Sequence, residues 1–268
     1  MSVDHCTRNM GDIQALFRSR LQIQILLALV DGNKTLAQLR EITGSSSQAL
    51  IPRIRKLESG NLITISDYEY HLTPVGRLLS KKMQDIIRFK SITTKHKNFW
   101  HQHSSEEIPE EFLDTIGDLY NSEIIADTDF NIFNVYFNFL KIIQEAKHLN
   151  ILTPISSPAH VCAVMKRIGE GVYGEILVRE ELFRQISVSS DFDKIHELAT
   201  QTNSKIFILE KPPKLGLTVT DKHLSLGLYK KDGVFDTTTD LFSVDEKAVH
   251  WGQMLYNHYR DTAEEMIL

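Results

Sequence analysis

The hydrophobic pattern is densest and most regular in the first third of the chain. Ser19 to Val30 reads SRLQIQILLALV: Leu21, Ile23, Ile25, Leu27 and Leu29 alternate as in a strand, yet Leu26, Ala28 and Val30 fill the other face. With Gly32 behind it as a stop, the segment predicts a helix buried on most sides. Thr35 followed by Gln38 is a capping-box pattern, and Leu36, Leu39 and Ile42 then give a short helix one apolar face that Gly44 closes. Ser45, Ser46 and Ser47 offer N-caps to a second helix, in which Leu50, Ile54 and Leu57 recur at helical spacing and Gly60 stops the run. Pro52 conflicts with that helix, because it removes a donor and crowds the preceding turn at a cost of about 3 kcal/mol. The helix is expected to start late or to bend there. Leu62 to Ile65 and Tyr68 to Leu72 suit a hairpin turning at Ser66 and Asp67, and Thr73-Pro74 opens a further helix with Val75, Leu78, Leu79, Met83, Ile86 and Ile87 as its stripe. Together these elements predict a winged helix-turn-helix.

That arrangement turns Gln48, Ile51, Arg53, Arg55 and Lys56 away from the core. A major groove about 12 Å wide admits one helix, so the second helix is the one expected to enter double-stranded DNA. The candidate DNA-contacting residues are Ser46, Ser47, Gln48, Arg53, Arg55 and Lys56, with Tyr68 on the wing. Gln48, Arg53 and Arg55 suit base edges and Lys56 suits phosphate. The same charges would also make an ordinary solvated face. The basic side of the following helix, Arg77, Lys81, Lys82, Arg88 and Lys90, could likewise meet phosphate or water. Its stripe packs on its own domain or pairs two subunits.

KHKNFWHQHSSEEIPEEF follows, and the reading places a boundary within Ser104 to Pro109, giving a DNA-binding domain of residues 1–103 and a second domain of residues 104–268. His96, His101 and His103 invite a metal, but no cysteine or firmly placed carboxylate completes a tetrahedral set, so no metal is expected. Phe130, Phe133, Phe137 and Leu140 with Ile132, Tyr136, Phe139 and Ile143 predict a helix apolar almost all round, with ordinary core as the expected role and a ligand pocket or dimer seam as the alternatives. Strands at Asn150–Thr153, Glu175–Val178 and Lys205–Leu209 alternate with helices near Ala159–Ile168 and Asp191–Thr200, which predicts an α/β sheet with parallel pairs. Leu217–Val219 and His223–Tyr229 add an expected hairpin edge, and Asp245–Tyr259 a last helix. Ligands of such sheets collect beyond the carboxyl ends of the strands, so Ser156, Arg179 and Lys211 are the candidate ligand-binding residues, a set suited to an anion.

Charge sharpens this division. The first 103 residues hold 15 Lys and Arg against 8 Asp and Glu, a net +7, and the remainder holds 15 against 27, a net −12. A basic part joined to an acidic part fits a phosphate-contacting module attached to one that stays off DNA. The 268 residues are 42% apolar and 24% charged, without an apolar run of membrane-spanning length or a signal-peptide pattern, so a cytoplasmic protein free of the membrane is expected. Cys6 and Cys162 are far apart and form no metal or disulfide pattern. Gly169-Glu-Gly171-Val-Tyr-Gly174 matches a dinucleotide fingerprint but follows a helix and precedes a strand, the inverse of the required order. No catalytic motif or cofactor site is read.

SSSQALIPRIRKLESGNLI with YHLTPVGRLL, and LGLTVTDKHLSLGLYKKDGVFDTTTDLFS with AVHWGQMLYNHYR, resemble the archaeal methanogenesis regulatory protein family. The resemblance implies winged-helix transcription regulators with a C-terminal sensor domain similar to a phospholipase-D-like fold. Enzymes of that fold carry HxK followed by Asp, and here His223 is followed by Ser225 where the lysine would stand. The expected function is therefore a sequence-specific, homodimeric DNA-binding regulator that senses a small-molecule effector or a partner, without catalysis. The alternatives are a phosphodiesterase of phospholipase or nuclease type delivered by a winged helix, and an interaction module without a ligand.

Overall fold

The computed structural model describes residues 11, 14–155, 157–187, 197, 200–202 and 204–266. It divides into two compact units, Met1–Ile87 and Arg88–Leu268.

The first unit packs α1 (Arg20–Ala28), α2 (Leu36–Thr43) and α3 (Ser47–Ser59) around Ile25, Leu26, Leu39, Leu50, Ile54 and Leu57. The Thr35–Gln38 capping box forms with both hydrogen bonds, and Gly44 closes α2 in the left-handed region at φ 64°. Ser46 is the N-cap of α3, accepting from the Ala49 amide. The helix runs through Pro52, which lies exposed with Gln48. At its far end the left-handed residue is Asn61 (φ 53°) rather than Gly60. Asn61 N donates to Glu58 O and Leu62 N to Leu57 O, both at 2.9 Å, the paired bonds of a Schellman ending.

Strands β2 (Ile63–Ser66) and β3 (Glu69–Leu72) form the hairpin, and the two-residue β1 (Lys34–Thr35) pairs with β3 to make a sheet ordered β1-β3-β2. The turn sits on Asp67 and Tyr68, one residue later than the pattern suggested, with φ values of 51° and 61°. Thr73 then ties the wing to α4 (Pro74–Lys95): its hydroxyl donates to Asn61 O at 2.7 Å and accepts from Gly76 N at 3.0 Å. Gly76 lies so close to the hairpin that a Cβ there would stand 1.8 Å from Leu62 O.

The second unit begins before the expected boundary. Ile92 and Phe99 are buried with Ile108 and Phe112 in the second core, and His103 is buried against Asp236, so residues 88–103 belong with the second unit. Burial of these apolar side chains outweighs the polar, linker-like look of the segment. His96 and His103 are used in packing, whereas His101 is exposed: His96 bonds Ser122, and α5 (Lys97–Gln102) ends on His103. Among the described residues no group of three His, Cys, Asp or Glu gathers for a metal, and no helix is long and apolar enough to cross a membrane.

After α6 (Glu110–Asp114) and a 3-10 turn (Ile116–Leu119), eight strands build one mixed sheet. They are β4 (Glu123–Ala126), β5 (His148–Leu152), β6 (Tyr173–Arg179), β7 (Lys205–Leu209), β8 (Leu215–Thr220), β9 (Leu224–Tyr229), β10 (Phe235–Ser243) and β11 (Glu264–Glu265), in the order β11-β7-β6-β5-β8-β9-β10-β4. β5, β6 and β7 are mutually parallel, as expected. The β8–β9 hairpin is central rather than at an edge, because β10 and β4 extend the sheet beyond it. Helices α7 (Asn134–Glu145), α8 (Pro158–Gly169) and α9 (Glu180–Ser187) are built around it, and α10 (Glu246–Arg260) leads into the edge strand β11.

Alternation along β5 shows the layering. Leu149 and Ile151 pack with Ile143 and Val164 of α7 and α8, whereas Leu152 joins Trp251 and Leu255 of α10 in the other core. The Gly169–Gly174 stretch is the helix-to-strand turn between α8 and β6. The helix expected at Asp191–Thr200 lies largely outside the described residues, as does Cys6.

Candidate functional site

In the first unit, Ser46, Gln48, Arg53, Arg55 and Lys56 are exposed on α3 and Ser47 is half-buried, while Leu50, Ile54 and Leu57 face inward. The period of 3.6 residues therefore sets these exposed side chains apart from the core. The structure adds two arginines that this reading missed. Arg18, Ser19, Arg20 and Leu21 at the start of α1 border an open groove with Gln48, Ala49, Pro52 and Arg53. Arg18 and Arg20 are exposed there, so three guanidinium groups flank one groove. The missed signal was the pair of arginines around the Ser19 N-cap, just ahead of the apolar run.

Tyr68 is 91% exposed at the wing tip and left-handed. A bulky non-glycine residue held in that region costs about 1–3 kcal/mol and points to a use for the side chain. Tyr68→Asn relieves the strain. It is expected to raise stability by about 1 kcal/mol while lowering duplex affinity, and thermal melting paired with a duplex titration reads both changes. Unchanged affinity would leave the strain without a role in binding.

In the second unit a cavity of about 220 Å³ lies between the sheet and the helices. Tyr136, Phe139, Val161, Val164, Leu182 and Phe183 form its helical wall, and Thr153, Pro154 and Ile155 continue it beyond the end of β5. Two of the aromatic residues of α7 thus line a pocket. Phe130, Ile132, Phe133 and Phe137 are exposed instead of forming core. The difference from the ordinary-core expectation arises because α7 starts only at Asn134, leaving Phe130, Ile132 and Phe133 ahead of it.

The floor is made by a glycine pair. Gly216 and Gly227 face each other across β8 and β9, and the Phe235 ring occupies the space their side chains would take. A Cβ on Gly227 would stand 2.8 Å from Phe235 Cζ and 2.9 Å from Asp240 Oδ1. The register of β10 against β9 shifts between Phe235 and Asp240, and this irregularity brings Asp236, Thr237 and Asp240 to the cavity.

The two carboxylates differ in their surroundings. Asp236 is fully engaged: Oδ1 accepts from the Thr238 amide and hydroxyl and lies 3.3 Å from Lys230 Nζ, and Oδ2 lies 2.9 Å from His103 Nε2. Burial pushes its pKa up, but these donors outweigh burial and hold it below the usual carboxylate range. Asp240 accepts from Ser225 Oγ at 2.8 Å and makes no ion pair among the described residues. Burial, with the charges of Asp236 and Asp127 adding to it, raises Asp240 to about 6.

A carboxyl whose folded pKa lies above its unfolded value stabilises the fold at low pH and loses that contribution as pH rises through the folded value. Asp240→Asn is therefore expected to be more stable than the native protein near neutral pH, by something on the order of 2 kcal/mol. The gap should close as pH falls from about 6 towards about 4. Melting curves across that range test it, and a constant gap would contradict the assignment.

Of the residues expected to hold an anion, the two that the structure describes lie outside the cavity lining. Ser156 lies outside the described residues. Arg179 is not among the cavity's lining residues; its Nη2 donates to Pro154 O at 2.8 Å and Tyr229 OH at 3.2 Å. Lys211 is exposed and also outside the lining. The strand-end rule located the cavity's position beyond β5, but the polar group there is an aspartate. His223 lies at the opposite end of β9, with Nε2 3.4 Å from Glu145 Oε2 and Nδ1 near Thr220 Oγ1, and burial lowers its pKa.

Comparison with known proteins agrees with this two-part organisation. The N-terminal domain of the methanogenesis regulatory protein FilR1 matches residues 10–91, and its middle domain matches residues 132–262. Methanogenesis regulatory protein FilR1 of Methanothrix harundinacea (strain 6Ac) is 22% identical over 257 residues, covering 95% of this chain. The chain spans 58% of that relative's length. Among solved structures, TrmBL2, described as an archaeal chromatin protein with a novel mode of DNA binding, is similar with a TM-score of 0.44 and 18% identity, over 99% of this chain and 100% of that one. Nuc, a phospholipase D family member from Salmonella typhimurium, has a TM-score of 0.40 and 10% identity, over 54% of this chain and 97% of its own. With a winged-helix unit and a mixed α/β unit each matched by the corresponding domain of one regulator, the chain belongs to the FilR1 methanogenesis regulatory protein family.

Proposed function

We propose that this protein is a sequence-specific DNA-binding transcription regulator whose second unit senses a small molecule. The observation that carries the reading is the exposed face of α3, where Gln48, Arg53, Arg55 and Lys56 stand clear of a complete helix-turn-helix core beside Arg18 and Arg20. An α-helix so presented fits a major groove, and arginines at its base suit phosphates. The cavity in the second unit supports the sensing part. Asp236 lines that cavity and holds His103, which belongs to the segment leading from α4 into the second unit. Occupancy that disturbs Asp236 would thus reach His103 at the end of α5, within the second unit.

The regulator acts as a homodimer. On α4, Val75, Leu78 and Ile86 are 55%, 69% and 55% exposed, an apolar stripe on a long helix without a partner among the described residues. A second copy would cover it, and two-fold pairing matches paired half-sites. Sedimentation of Leu78→Glu tests the pairing: a dimer that becomes a monomer supports it, and an unchanged dimer contradicts the α4 seam. Duplex titration at several salt concentrations tests the DNA reading, with log K expected to fall linearly with log salt. Flat or undetectable binding would contradict it.

A further inference from the structure

We propose that the second unit's cavity takes a small organic ammonium ion, with the cation on the Asp240 carboxylate and an apolar body against the helical wall. This inference rests on the effector reading above and names the ligand's chemical class.

The lining selects by charge. Its carboxylates are Asp236 and Asp240, it has no Lys or Arg, and burial lowers the pKa of its histidine, His160, so a carboxylate or phosphate ligand would find no fixed positive charge there. Asp236 already has its donors, whereas Asp240 has the Ser225 hydroxyl alone. A purely apolar guest would strip water from that carboxylate and return nothing, which is costly for a desolvated charge. A polyol is less well served, because Thr153, Thr218 and Thr237 give it few partners in a lining otherwise dominated by side chains such as Val161, Val164, Ile176 and Leu182. An ammonium group supplies the missing counter-charge and donors together.

The aromatic residues favour the same guest. Phe235 Cζ and Asp240 Oδ1 converge over Gly227, so a ring and the carboxylate share one corner of the cavity. Tyr136 and Phe139 lie on the helical side, and their rings, like that of Phe235, attract cations through the negative π-face. The raised pKa of Asp240 agrees with a half-buried acid lacking a cation, and such acids cluster at functional sites. At about 220 Å³ the cavity falls below the ~300–1,000 Å³ of drug-sized sites, so the ligand is metabolite-sized.

The test is calorimetric titration of the full chain with three probes of similar size: phenethylammonium, phenethyl alcohol and 3-phenylpropanoate. Phenethylammonium is expected to bind at least about tenfold more tightly than the alcohol, and the carboxylate not at all. Its affinity should fall as pH drops through about 6, because protonation removes the charge on Asp240. At Asp236, the lining's other carboxylate, burial is outweighed by hydrogen-bond donors that lower the pKa, and burial lowers that of His160; the affinity of the alcohol stays level. Asp240→Asn, whose side chain can still accept from Ser225, should lose the preference for ammonium and keep alcohol binding. Val164→Phe, which fills the cavity, should lose both. The proposal is overturned by equal binding of ammonium and alcohol, by tighter binding of the carboxylate, or by no ammonium binding at millimolar concentration. The pH profile of the native protein decides even if the variants do not fold. Duplex affinity measured on the same samples separates the two readings. Ammonium binding that leaves duplex affinity unchanged keeps the site and sinks its effector role. Duplex binding without ammonium binding sinks this inference alone.

Discussion

Gly76→Ala is expected to unfold the winged-helix unit well before the second unit. The added methyl would stand 1.8 Å from Leu62 O, a backbone atom that cannot move aside as a side chain would. Leu62 is fixed from two directions, by its amide in the ending of α3 and by its carbonyl, which accepts from Thr73 N at 3.1 Å. Relief requires moving α4 away from the hairpin and breaking the Thr73 cap. Overpacking costs about 1–3 kcal/mol where side chains can adjust and more where backbone must shift, so a loss of about 3 kcal/mol or more is expected. In a unit of this size that lowers the melting temperature by roughly 12 °C or more. Gly44→Ala is the control. Nothing lies within 4 Å of its Cβ position, so only the left-handed backbone at φ 64° is penalised, at about 1 kcal/mol. Equal losses in the two variants would show that Gly76 is not a steric contact point.

Arg55→Ala and Lys56→Ala should fail in different ways. A bidentate arginine contact to a base edge is worth about 1–3 kcal/mol of discrimination, so Arg55→Ala is expected to relax preference at one position of the site. Loss of a phosphate contact weakens all duplexes alike and lowers the salt slope by about 1, which is the expectation for Lys56→Ala and equally for Arg18→Ala and Arg20→Ala. Competition titrations with single-base variants of a selected site measure both quantities. Uniform effects from all four substitutions would mean that α3 does not read sequence.

Features set by neighbours in the chain were legible from the residues alone. The Thr35–Gln38 box, the Ser46 cap and the inward Leu50, Ile54 and Leu57 depend on spacing along one helix, and each appears where the pattern put it. Pro52 looked disruptive because it removes a donor and crowds the preceding turn, a local cost that burial of Leu50, Ile54 and Leu57 on both sides of it outweighs. What depended on distant partners was not legible. The polar segment from Arg88 to His103 became part of the second unit through Ile92, Phe99 and the His103–Asp236 bond. The β8–β9 hairpin looked like an edge because β10, rich in Thr and Asp, carries little apolar alternation, and its irregular register against β9 hides the rest.

The candidate ligand site shows the same division. Its place beyond the end of β5 follows from the order of strands and helices, which sequence pattern conveys. Its polarity does not, because Arg179 is drawn to Pro154 O and Tyr229 OH while Asp240 is delivered by a strand the pattern missed. A sign of the cavity was present in Gly216 and Gly227, whose meaning appears only once β8 and β9 are paired.

The central claim, that this protein reads DNA sequence through α3, is tested most directly by selecting bound duplexes from a random pool with the full chain. Enrichment of a two-fold-related pair of half-sites is expected, with the preference at one position relaxed by Arg55→Ala. A bound pool with no shared sequence, or one left unchanged by that substitution, would contradict it.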